Sequence, residues 1–248
     1  MTELENTIES HLPVVHNGEH YTKVLAQLSR DRNTIRYLEI GVQHGINFSQ
    51  ISSERALGVD PEFLINRNVA ANKQRVSLFQ MTSDSFFEDI DVVAELGGPP
   101  ELSFLDGMHL FEFLLRDFYN TERVSSKQSL IAMHDCLPLT ETMINRDHGM
   151  VINLSAGTQY DRWWTGDVWK IIPILHKYRP DLKIVLLNAA PTGLALVTNL
   201  DPSSVVLRDN YIKIVEEFSK LPNSKESLSK HYKKNKIIDS CSMAVAGG

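Results

Sequence analysis

The chain has 248 residues, 42% hydrophobic and 23% charged, an ordinary globular composition that excludes fibrous and disordered classes. A formal net charge of −6, with no lysine- or arginine-rich stretch beside the candidate motifs, argues against a nucleic-acid partner. The two cysteines, Cys136 and Cys241, are too few and too far apart for a disulfide framework, so free thiols in a reducing cytoplasm are expected.

The stretch from Met1 to Pro13 carries Glu3, Glu5 and Glu9 and no apolar run, unlike a signal peptide. No segment reaches the roughly 18 apolar residues of a membrane span. The expectation is a soluble, cytoplasmic protein with no membrane partner. One domain is expected over 35–221, with an N-terminal helical segment at 1–34 and a tail at 222–248.

Val24, Leu25 and Leu28 fall at helical spacing and predict a helix over Tyr21–Arg30. Five short apolar or β-branched runs follow: Ile35–Val42, Ala56–Asp60, Val76–Met81, Leu102–Asp106 and Leu130–His134. Between them, Asn66–Asn72, Asp84–Leu96 and Leu110–Arg123 read as helices or loops. Such alternation predicts an α/β fold with a mainly parallel sheet and helices on both faces. Runs that are apolar throughout, such as Ser129–Met133, suit strands buried on both sides.

The rhythm breaks after Asp135. Residues 137–166 hold Pro138, Asn145, Gly149, Asn153 and Gly157, and read as an inserted lid or loop. A helix is expected at Val168–Tyr178. Two further strands, Lys183–Leu187 and Leu194–Thr198, are joined by a turn with Pro191 and Gly193, which fits an antiparallel hairpin. A last helix is expected at about Val205–Leu221. The lysine- and serine-rich residues from Pro222 onward read as a poorly ordered extension.

The strongest motif is Leu38-Glu39-Ile40-Gly41-Val42-Gln43-His44-Gly45, a strand running into a glycine turn with a helix opening near Asn47. Dinucleotide enzymes use G-x-G-x-x-G at this place. Gly41 and Gly45 have the spacing G-x-x-x-G instead. The second strand ends in Asp60, a carboxylate able to accept hydrogen bonds from ribose hydroxyls. That role supports a nucleoside without identifying it. A cap ahead of Pro61 is the plainer reading.

Two more strand ends carry chemistry. The fourth reads Asp106-Gly107-Met108-His109 and the fifth reads His134-Asp135. Parallel neighbours bring their C-terminal ends together, and ligands in open α/β sheets bind outside those ends. Two carboxylates and two imidazoles would then converge. Each residue taken singly also reads as a cap or a loop residue. Asp117 reads as structural. The aromatic run Tyr160-Asp161-Arg162-Trp163-Trp164 offers a pocket wall, Trp169 reads as core, and Asp147 and His148 are weaker substrate-facing candidates.

The turn resembles the first motif of class I S-adenosylmethionine-dependent methyltransferases, E/D-x-G-x-G-x-G, with Gln43 in place of the middle glycine. Five parallel strands and a terminal hairpin also resemble their seven-stranded, Rossmann-like sheet. Asp-Gly-x-His followed by His-Asp resembles the family-24 type and the metal-dependent sugar O-methyltransferases of macrolide biosynthesis. The resemblance implies that Glu39 holds the cofactor's amino group. It also implies that Gly41 and Gly45 form the turn, and that Ser83 and Asp84 contact the adenine. It implies further that Asp106, His134 and Asp135 hold a divalent metal, and that His109 is the general base. His134 stands where the sugar enzymes have a carboxylate. Carboxylates suit magnesium, and an imidazole also accommodates manganese, iron or zinc. A histidine with an ordinary pKa of roughly 6.5 can take a proton near neutral pH.

The expected activity is therefore S-adenosylmethionine-dependent methyl transfer to a small molecule, such as a sugar or another hydroxylated metabolite. A metal-assisted O-methyltransferase is the favoured form. A nucleotide-dependent oxidoreductase and a non-catalytic cofactor-binding module remain as alternatives, and homo-oligomer formation stays open.

Overall fold

The computed structural model describes residues 12–245. The expectations for Met1–His11, with the three early glutamates, and for the terminal Ala246–Gly248 lie outside the described residues. The chain begins with helix α1 (Tyr21–Asp31), whose first turn is capped by the His20 ring. Strands β1 (Arg36–Ile40), β2 (Ser53–Asp60) and β3 (Lys73–Gln80) follow. Helices α2 (Ser83–Asp89) and α3 (Val92–Leu96) lead to β4 (Leu102–Leu105), then α4 (Phe111–Val124) and β5 (Leu130–His134). Helix α5 (His148–Ser155) lies in the insertion and α6 (Ile171–Tyr178) follows it. The hairpin β6 (Lys183–Leu187) and β7 (Leu194–Thr198) precedes α7 (Val206–Asp209), α8 (Tyr211–Phe218), α9 (Lys225–Lys234) and β8 (Ile237–Ile238).

These strands make one sheet in the order β3-β2-β1-β4-β5-β7-β6-β8. All neighbouring pairs are parallel except β5–β7 and β6–β7. From β1 the chain winds to one side, and from β4 to the other. The crevice above β1 and β4 is the switch point where open α/β sheets take ligands. Helix α4 buries Phe111, Leu114, Leu115 and Phe118, the i, i+3, i+4, i+7 stripe of a core-facing helix.

Several expectations change here. The predicted helix near Asn47 is only a 3-10 turn, Phe48–Gln50, and residues 61–72 form no helix. The Lys73 ammonium organises this region instead, donating to the carbonyls of Phe48, Ile51 and Ala71 at 2.6, 2.8 and 3.1 Å. The Val168–Tyr178 helix opens with a 3-10 turn, and the Val205–Leu221 helix divides into α7 and α8 at Asn210.

The reading of residues from Pro222 as poorly ordered is corrected. Leu228, His231 and Tyr232 form a buried stripe on α9. The His231 ring donates to the Cys136 carbonyl at 3.0 Å, and the Tyr232 hydroxyl to the Leu137 carbonyl at 2.9 Å. Strand β8 then pairs with β6, so the sheet has eight strands rather than seven. No helix of the described residues is long and apolar enough to cross a membrane.

Candidate functional site

A cavity of about 640 Å³ opens at the switch point. Glu39, Gly41, Asp60, Ser83, Asp84, Asp106 and His109 line it, so most of the predicted cofactor residues meet there. Gly45 does not line it and instead closes the turn, donating its N–H to the Val42 carbonyl at 2.7 Å. Gly41 has φ +90°, and a side-chain carbon on it would lie 2.1 Å from the Asp106 carbonyl oxygen. Only glycine lets the ends of β1 and β4 approach so closely.

Glu39 is 1% exposed and accepts hydrogen bonds from the Tyr37 hydroxyl and from Asn47 Nδ2. Burial pushes its carboxyl up to about 8, against the pull of those two donors. The other Asn47 atom, Oδ1, is buried without a partner among the described residues. Asp60 accepts from the N–H of Gln43 at 2.8 Å and of Glu62 at 2.9 Å. No helix follows it, so Asp60 is not the expected helix cap; its carboxylate instead ties the β1 turn to the loop after β2 while lining the cavity. Asp84 holds Arg116 through two bonds of 2.8 and 2.7 Å. Asp117 is buried under this wall, and burial raises it to about 7.

The second cluster adjoins the first. Asp106 Oδ1 lies 3.3 Å from His134 Nδ1 and 3.4 Å from His109 Nε2. The carboxylate of Asp135 approaches both rings at 3.3 Å, Oδ1 toward His134 and Oδ2 toward His109. Asp106, His134 and Asp135 offer one donor atom each within 4.8 Å of one another. His134 and Asp135 are 8% and 4% exposed and stand outside the cavity lining, next to Asp106. Asp135 has φ +60°, an uncommon conformation for a residue with a side chain, and the Thr192 hydroxyl donates to its Oδ1.

Burial favours the neutral forms of Asp106, His109 and His134, yet the opposite charges prevail. Asp106 is held well below the usual carboxylate range by His134 and His109. Burial would lower His109, but Asp135 and Asp106 lift it to about 9, and His134 is raised for the same reasons. The expectation of an imidazole ready to take a proton near neutral pH is therefore modified. Without a competing cation His109 already carries the proton.

The insertion reaches the same cavity. His148, Arg162 and Trp164 line it, with the rings of His148 and Trp164 stacked 4.5 Å apart. Asp147 caps α5, Tyr160 bonds the Val14 carbonyl, and Trp169 is core beside His231. Sequence reasoning missed Tyr21, Asn47, Thr192 and Asp167. Tyr21 lines the cavity from α1, with its ring 4.0 Å from that of His134. Burial and the nearby carboxylates raise its phenol, which stays neutral. Asp167 is fully buried, accepts the N–H of Phe111 at 3.1 Å and pairs with Arg146 and Lys170. Only the Asp before the apolar helix at Val168 hinted at it.

No protein-family model and no curated protein matches the sequence. Solved structures share its architecture. The O-methyltransferase from Bacillus cereus in complex with SAH is 16% identical, with a TM-score of 0.52 over 75% of this chain and 83% of that one. The cofactor-bound Rv0187 from MTB is 14% identical, with a TM-score of 0.50 over 76% of this chain and 84% of that one. Identities this low establish architecture alone, and in architecture the chain has a Rossmann-like methyltransferase fold.

Proposed function

We propose that this protein transfers the methyl group of S-adenosylmethionine to an oxygen of a small hydroxylated molecule, with a divalent metal at Asp106, His134 and Asp135. One observation carries the reading. A single cavity at the switch point joins the Glu39–Gly41 turn and Asp60 to Asp106 and His109.

The residues fit both groups. For the cofactor, Glu39 and the unpartnered Asn47 Oδ1 are acceptors suited to an ammonium, and Asp60 retains lone pairs for ribose hydroxyls. For the metal, two carboxylates and an imidazole make an oxygen-rich set that suits magnesium or manganese. A divalent ion there would supply Lewis acidity, which lowers the pKa of an acceptor hydroxyl.

The chain's own groups supply the rest. Nδ1–H of His109 donates to the Trp164 carbonyl at 2.7 Å, which leaves Nε2 as the atom that takes the acceptor's proton. A cation held by Asp106 and Asp135 would compete with the imidazolium proton and favour the neutral ring of His109. The acceptor oxygen then forms a bond to the methyl carbon while the carbon–sulfur bond breaks. The products are a methyl ether and S-adenosylhomocysteine. The wall of Trp164, His148 and Arg162 is where a sugar or another hydroxylated ring would lie.

Calorimetry with S-adenosylhomocysteine tests the cofactor. Binding by the wild type, weakened at least tenfold in Asp60→Ala, is expected from loss of a charged hydrogen-bond acceptor. Absence of binding to the wild type sinks the reading. Methyl transfer that persists in EDTA removes the metal from it. Cofactor binding with no transfer to any acceptor points to a binding module.

A further inference from the structure

We infer that the Tyr21 hydroxyl binds the carboxylate at the amino-acid end of the cofactor, an inference that rests on the proposed use of S-adenosylmethionine. Tyr21 opens α1, and its backbone N–H donates to the Ala190 carbonyl at 2.9 Å, which docks the helix start on the β6–β7 turn. Its ring packs on His134 at 4.0 Å and on Phe104 at 5.8 Å between centroids. Phe104 on β4 is the register partner of Glu39 on β1. Tyr21 therefore stands over the pair of strand ends that defines the cavity.

The ring is fixed, and only the hydroxyl is uncommitted. It makes no hydrogen bond with any described residue, although the ring around it is largely covered and the cavity lies in front of it. The hydroxyl therefore faces the cavity with its donor free for a ligand atom, while the packed ring fixes where that donor stands.

The neighbouring chemistry says which ligand atom. Glu39, Asp106 and Asn47 Oδ1 are all acceptors. They suit an ammonium and repel a carboxylate. In an amino acid the two groups share one carbon, so a carboxylate must arrive wherever the ammonium docks. The Asn47 amide already donates to Tyr37 and Glu39. Arg162 is the sole lysine or arginine among the described lining residues, and it belongs to the insertion beside Trp164. The Tyr21 O–H is a free side-chain donor on this wall, and its ring is fixed against Phe104, the strand neighbour of Glu39, so it is placed to meet that carboxylate.

The test compares two probes by calorimetry. S-Adenosylhomocysteine carries the amino-acid end, whereas 5′-methylthioadenosine lacks it. Tyr21→Phe keeps the ring packing, so an unchanged melting temperature is expected. The variant should bind S-adenosylhomocysteine about tenfold more weakly, the usual loss for a hydrogen bond to a charged group. Its affinity for 5′-methylthioadenosine should match the wild type. Arg162→Ala should leave both affinities unchanged. Equal weakening of both probes, no weakening of either, or loss of S-adenosylhomocysteine affinity in Arg162→Ala instead overturns the inference while leaving the methyltransferase reading intact. A wild type that binds neither probe overturns both.

Discussion

The main-chain carbonyl of Trp164 accepts the Nδ1–H of His109 at 2.7 Å, which ties the inserted segment to the candidate base. Two residues on, Gly166 has φ +52°, and a side-chain carbon there would lie 1.6 Å from the His109 carbonyl oxygen. One further residue on, Asp167 caps Phe111. The stretch Trp164–Asp167 thus sets the ring, the backbone and the following helix of the base together.

Gly166→Ala should therefore uncouple His109 from the cofactor site. The left-handed backbone alone costs about 1–3 kcal/mol in a non-glycine residue, and the overlap forces the two loops apart. Urea unfolding should report that loss. Affinity for S-adenosylhomocysteine should hold, since the β1 turn is untouched. Methyl transfer should fall about a hundredfold, the cost of misplacing a catalytic group by about 1 Å. A variant as active as the wild type would show that the insertion does not position the base.

Metal binding should release protons. Burial by itself would lower His109 and His134, but Asp135 and Asp106 raise both, His109 to about 9. At pH 7 His109 holds its proton, and a divalent ion bound beside it must displace that proton. Manganese affinity should rise between about pH 6.5 and 9, by about tenfold per pH unit for each proton displaced. Calorimetry in buffers of unequal ionisation enthalpy counts the protons. An affinity that is flat across this range would contradict the pairing.

Glu39→Gln separates stability from function. Burial raises the Glu39 carboxyl from 4.5 to about 8. The folded state then holds a proton that the unfolded chain has lost. Stability is fully present below about pH 4.5 and declines as the pH rises through 8. The glutamine variant lacks this decline, so its stability relative to the wild type should improve by on the order of 3 kcal/mol between pH 5 and pH 9. Affinity for S-adenosylhomocysteine should fall in the same variant, because the carboxylate that would meet the ammonium is gone. Paired urea unfolding and calorimetry at the two pH values check both.

The core of the sheet was legible because its strands are short apolar runs with sharp edges. Leu130–His134, Lys183–Leu187 and Leu194–Thr198 fall where the sequence predicts. The glycine turn and the strand-end acids were legible for a similar reason, since a parallel sheet brings those ends together. Helix α9 was hidden by its lysines and serines, which outnumber the buried stripe of Leu228, His231 and Tyr232. Tyr21 and Thr192 were hidden because only tertiary packing brings them to the cluster. Their nearest motifs lie on other strands, and no local spacing marks either residue.

Asp167→Ala is expected to loosen one half of the site and spare the other. The carboxylate is fully buried and meets the Phe111 N–H, Arg146 and Lys170, which is itself 2% exposed. Arg146 keeps Glu112 as a partner, but Lys170 is left buried without a counter-charge. Breaking such a pair from one side costs about 3–5 kcal/mol. Hydrogen exchange should quicken over residues 107–112 and 145–165 while β1, β2 and β3 stay protected. Replacing both charges, as Asp167→Leu with Lys170→Met, should recover much of the stability, because the uncompensated ammonium is gone. It cannot restore the acceptor for Phe111. The double variant should therefore regain its unfolding midpoint without regaining methyl transfer, and recovery of both together would show that Asp167 serves stability alone.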